Sequence, residues 1–153
     1  SKESRKDMLL GSNYAGRAIA IAKTTAAHAA SYPLTSYFGV AHGHAVALTI
    51  PHFLAFNFEI DKKSLQDKRG VMFVKKSMRE LIHLLGVKSA TKAKTKLLEI
   101  MHLIHLSTNL SHIGIQINDI DLLVKNGFNP ARVKNNPRRL TQNDLKEILV
   151  DIL

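Results

Sequence analysis

Residues 13–31 form an almost unbroken run of small, alanine-rich side chains with no internal proline. Alanine is the strongest helix former, and small side chains let helices approach closely. The run therefore reads as a buried helix. Strand patterning is weak along the rest of the chain. Together these features predict an all-α fold, a helical bundle.

Downstream, residues 31–41 read as a loop that turns the chain back, because Pro33 stops the helix and Gly39 marks a second break before His42. A second apolar helix is expected from His42 to about Asn57, kinked or reset at Pro51. A polar connector over 59–70 precedes a helix over 71–85, where Met72, Val74, Met78, Leu81, Ile82 and Leu85 share one face and Gly86 comes next as a C-terminal cap. Ser89 is expected to cap a helix through about Leu106, and a short helix over 118–125 is closed by Gly127. Thr141 and Asp144 form a capping-box-like start to the final helix, which carries Leu145, Ile148, Leu149 and Ile152.

The 153 residues suit one domain with a real core. No apolar run approaches the roughly 18 residues that span a membrane, and the basic N-terminus leads into no signal-peptide core. Zero cysteines excludes disulfides and thiolate metal sites and fits a cytoplasmic protein. Any metal must be held by His, Asp or Glu. The formal charge of +10 raises nucleic acid as a partner. Much of the excess lies over residues 62–96, where Lys and Arg alternate with Leu, Val and Met at helical spacing. That pattern is a solvated helix face, stacking aromatics are scarce there, and no nucleic-acid motif is present. Neither nucleic acid nor membrane is expected as a partner.

Chemistry concentrates around His28 and His42, fourteen positions apart on either side of the Pro33–Gly39 turn. That arrangement can bring two imidazoles from different elements to one point, as a metal site needs. His44, two residues after His42, diverges from it on a helix and is better cast as a pocket residue than as a co-ligand. His52, after Pro51, is a further pocket candidate. His102 and His105 form an i,i+3 pair without a purposeful carboxylate nearby and read as structural, as do His83 and His112.

The residues around the two histidines carry a resemblance. Ala15-Gly16, the step to His28, Pro33-Leu34, His42-Gly43, Ile50-Pro51-His52 with Asn57, Leu84-Leu85-Gly86-Val87, the run from Leu110 to Gly114, Ile120-Asp121, Asn135-Asn136-Pro137-Arg138 and Leu140-Thr141 with Asp144 together cover essentially the whole chain. It resembles the C-terminal half of the iron-containing (group III) alcohol dehydrogenases, the helical domain shared with dehydroquinate synthase-like proteins. The stretch from Ala29 to Thr35 with His42-Gly43-His44-Ala45 is most similar to the branch that includes phosphonoacetaldehyde reductases.

The resemblance implies that residues 1–153 are a single helical metal-binding domain of a larger enzyme. His28 and His42 match two of the family's metal ligands. An Asp and a His four residues later, the other two, would precede Ser1, as would the N-terminal nucleotide-binding domain. The start at Ser1, without Met and directly ahead of a helix, reads as a truncation. The implied cofactors are a divalent metal, Fe or Zn, and NAD or NADP held mainly by the other domain. The implied activity interconverts small alcohols and aldehydes, a phosphonate aldehyde being one candidate. Where many members carry a histidine beside the reacting carbonyl, this chain has Tyr32, whose hydroxyl is a candidate catalytic donor or simply packs. Lys23, interrupting a small apolar helix five residues before His28, is the candidate cation for the phosphonate. The 153 residues alone are expected to be inactive. The alternative is a metal-free helical module that dimerises or binds a partner.

Overall fold

A computed structural model describes residues 1–153 as eight α-helices and no strand. In chain order they are α1 (Lys2–Ala22), α2 (Ala26–Phe38), α3 (His42–Phe58), α4 (Val71–Leu84), α5 (Ala90–Leu103), α6 (Ile120–Gly127), α7 (Pro130–Val133) and α8 (Gln142–Ile152). Single 3₁₀ turns at Ser111–Ile113 and Ile117–Asp119 lead into α6. The expected all-α fold is observed.

The core is built on α2 and α3. The buried face of α2, with Ala26, Ala27, Ala30 and Leu34, packs on α3, α6 and α7, and α3 packs in turn on α5 and α8. Leu48, Leu110, Ile115, Leu123, Leu145, Leu149 and Ile152 complete one continuous apolar cluster. Burying that many full side chains at about 1.5–3 kcal/mol each is what offsets the ordering of the chain. A Cβ on Gly127 would lie 3.2 Å from the Ala30 Cα and 3.5 Å from the Pro33 ring, so glycine is what lets α6 close on α2.

Helix starts follow their caps. Ser89 Oγ accepts from the Lys92 N–H at 3.2 Å. At α8, Thr141 Oγ1 accepts from the Asp144 N–H while the Asp144 carboxylate accepts from the Thr141 N–H, the reciprocal box expected there. Gly86, with φ +70°, ends α4 as expected, its N–H reaching the His83 carbonyl at 2.8 Å.

Four expectations need correction. The buried helix over 13–31 is two helices: α1 ends at Ala22, Lys23 takes φ +63°, and α2 restarts at Ala26. Of these, α2 is buried while α1 has no buried residue, because no other element of these 153 residues packs along it. Second, residues 31–38 are helix and not loop. Pro33 removes one N–H, but Ala29, Ala30, Ser31, Pro33 and Leu34 are buried around it, and that packing outweighs the missing bond. Third, the buried stripe of α4 is narrower than expected: Val74, Met78 and Ile82 are inside, while Met72 and Leu81 face solvent. α5 also stops at Leu103, short of Leu106, where His105 turns to φ +59°.

Candidate metal centre

The turn between α2 and α3 sets the site. Gly39 ends α2 in the left-handed conformation, φ +68°, its N–H donating to the carbonyls of Leu34 and Thr35. Val40 is buried, Ala41 is extended, and α3 begins at His42. The two helices are then locked together by Thr49 Oγ1, which donates to the Ala27 carbonyl at 3.0 Å. His28 lies in the first turn of α2 and not near the C-terminal end of one helix over 13–31, as the sequence suggested.

His28 and His42 meet, with ring centroids 5.8 Å apart and planes at 61°. Tyr32, one turn after His28 on the same face, stacks on His42 at 5.9 Å with planes 9° apart. Neither imidazole hydrogen-bonds to another protein group, whereas His44, His52 and His102 all do. Burial, then the neighbouring His42 and the Arg132 guanidinium, hold His28 below the usual histidine value. At neutral pH it is therefore the uncharged ring, the form that binds metal.

The pair is an incomplete donor set. No group of three or more His, Asp or Glu side chains converges in the chain, while a catalytic zinc site takes at least three protein ligands. Within that limit the chemistry fits: two imidazole nitrogen donors without protein partners suit Fe or Zn equally.

The remaining candidates are dispersed. His44 Nε2 donates to the Ser107 carbonyl at 2.7 Å, tying α3 to the segment after α5. His52, 6 % exposed, donates from Nδ1 to Asp151 Oδ2 at 2.9 Å and lies about ten residues, on the order of 15 Å, along α3 from His42. Lys23 is exposed at the α1–α2 junction. A polar cleft of about 350 Å³ lies at the far end of α3, but its acids Asp61 and Asp144 are engaged by Ser64 and Thr141.

Sequence reasoning missed Arg132. It projects from α7, donates to Thr24 Oγ1, and sets its Cζ 6.0 Å from the centre of the Tyr32 ring. No carboxylate pairs with it. Among 22 lysines and arginines nothing in the sequence marks this one, since only the fold carries α7 back to α2.

Fold and site describe an all-helical domain that presents two unpartnered imidazoles where two packed helices meet. The chain belongs to the Fe-containing alcohol dehydrogenase family, whose C-terminal part matches residues 1–153. It is 32% identical over 137 residues to the phosphonoacetaldehyde reductase of Streptomyces viridochromogenes, covering 90% of this chain and 33% of that one. Against the lactaldehyde reductase of Escherichia coli the identity is 23% over 148 residues, covering 96% and 37%. The solved sulfoacetaldehyde reductase of Bifidobacterium kashiwanohense, in complex with NAD+, superposes with a TM-score of 0.64 at 25% identity, over 85% of this chain and 31% of that one. The chain thus spans about a third of the length of these relatives.

Proposed function

We propose that this chain is the metal-ligating helical part of an NAD(P)-dependent reductase of small aldehydes, with His28 and His42 as two of the metal's ligands. The observation that carries the reading is the meeting of two unpartnered imidazoles in a member of this family. Relatives named as reductases of phosphonoacetaldehyde, lactaldehyde and sulfoacetaldehyde support the substrate class.

A divalent ion at this pair, completed by ligands from outside it, supplies Lewis acidity toward the substrate oxygen, and the nicotinamide supplies the hydride. The chain's own part is positional. Gly39 and the Thr49–Ala27 bond fix the two imidazoles, and burial keeps His28 unprotonated. Tyr32, 37 % exposed and stacked on His42, offers its hydroxyl to the substrate oxygen or to a water beside it. The 153 residues alone lack the remaining ligands and turn over no substrate.

Metal analysis and NADH- or NADPH-oxidation assays test this on the 153 residues and on a polypeptide that extends them upstream. Metal and turnover are expected only in the longer protein. Turnover by the 153 residues, or a longer protein in which His28→Ala keeps full metal content, contradicts the proposal. A second reading, a metal-free module that pairs with another copy, is favoured by the exposed apolar side chains of α1, including Met8, Leu9, Tyr14 and Ile21. Sedimentation separates the two: a metal-independent dimer with no reductase activity in the extended protein supports the module.

A further inference from the structure

We infer that Arg132 reads a tetrahedral oxyanion on the substrate, a phosphonate or sulfonate carried next to the aldehyde, and so sets the substrate class of the site. The inference rests on the reductase reading above. Arg132 is a cation with no carboxylate partner, and its side chain makes one hydrogen bond, to Thr24 Oγ1. A guanidinium has five N–H donors in a planar fork matched to two oxygens of such an anion. The fork is placed for this. Its Cζ is 6.0 Å from the Tyr32 ring, and Tyr32 stacks on His42 beside His28, so cation and imidazoles lie within the span of one small molecule.

An unneutralised cation beside two imidazoles also has a cost. It adds repulsion toward any metal cation at the pair. A chain that reduces uncharged aldehydes gains nothing from that charge, while an anionic substrate cancels it on binding. Among the relatives, the phosphono- and sulfoacetaldehyde reductases are named for aldehydes of this kind, and the lactaldehyde reductase for an uncharged one. Lys23, the cation favoured by the sequence, sits exposed at the end of α1, and nothing ties its ammonium to Tyr32 or either imidazole.

The test combines binding and turnover in the protein extended upstream. Binding of methylphosphonate and of methanesulfonate is followed by calorimetry, which needs no catalysis, and the tighter of the two identifies the group. Arg132→Gln is expected to weaken that ligand about 10–100-fold, the loss of one charge-assisted bidentate contact. KM for the matching aldehyde should rise by a similar factor while KM for lactaldehyde stays within about twofold. Thr24→Val removes the same Arg132–Thr24 bond but keeps the cation, and should leave both KM values nearly unchanged, as should Lys23→Ala. Equal shifts for charged and uncharged aldehydes, a Thr24→Val effect matching Arg132→Gln, or anion binding indifferent to Arg132 overturns the inference. If Arg132 governs anion binding and neither aldehyde is reduced, the anion site stands and the reductase reading falls.

Discussion

At the scale of single residues the account turns on a few side chains whose surroundings differ. His28 and His42 have free ring nitrogens, whereas His44 and His52 are occupied by Ser107 and Asp151. Substituting either free histidine by alanine in the extended protein should cost more than the roughly 10–100-fold in metal affinity that loss of an outer-shell partner causes. His44→Ala should leave metal content intact, as metal analysis after dialysis will show. Tyr32→Phe keeps the ring on His42 and removes only the hydroxyl. If that hydroxyl assists proton transfer, kcat falls about 100-fold or more with little change in metal content; an unchanged kcat reduces Tyr32 to packing. The two histidines were legible in the sequence because their neighbours spell out a family pattern. Arg132 was not, because its meaning comes only from where α7 lands.

At the scale of elements, the α2–α6 contact and the α3–α8 contact make separate predictions. Gly127→Ala would push a methyl into the α2 backbone at Ala30, where no side chain can swing away. Overpacking of this kind costs about 1–3 kcal/mol, visible as a lower denaturant midpoint. Gly16→Ala meets nothing within 4 Å and should not lower it. Between α3 and α8, burial and then Lys94 hold His52 below the ordinary histidine value despite the bond to Asp151. The folded chain therefore binds this proton less readily than the unfolded one. Stability should be flat above about pH 6.5, decline as pH falls below it, and level off once pH is below the lower folded value. Thermal unfolding between pH 8 and 5 will show this, and His52→Gln should flatten part of the decline; stability rising on acidification would refute the assignment. Asp151, held low by Lys94 first and then by His52, adds a second loss only in the carboxylate range. Helix caps at Ser89 and Thr141 were legible because capping is local chemistry. The fate of Pro33 was not, since the helix survives it through burial supplied by α3, α6 and α7, which come later in the chain.

At the scale of the whole molecule, the chain divides into a packed body over 26–152 and the lone helix α1. Small side chains announced close packing for both α1 and α2, yet only α2 finds a partner within these residues. Amide exchange should be fastest along α1 and slowest across α2, α3 and α8, and removing residues 1–22 should leave the melting temperature of the body unchanged. A lower melting temperature would mean that α1 docks in solution. Strand content was excluded by the sequence pattern alone, while the Lys23 break was invisible because Lys-Thr-Thr contains neither Gly nor Pro. The central claim is that His28 and His42 form half of a metal site, and a zinc titration of the chain at pH 7.5, read through the ring-nitrogen resonances of all eight histidines, tests it most directly. The account predicts that the His28 and His42 signals move together at weak affinity while His52 stays still, and that His28→Ala abolishes the shift at His42. Independent movement of the two, or a shift at His102 and His105 with the pair unmoved, would contradict it.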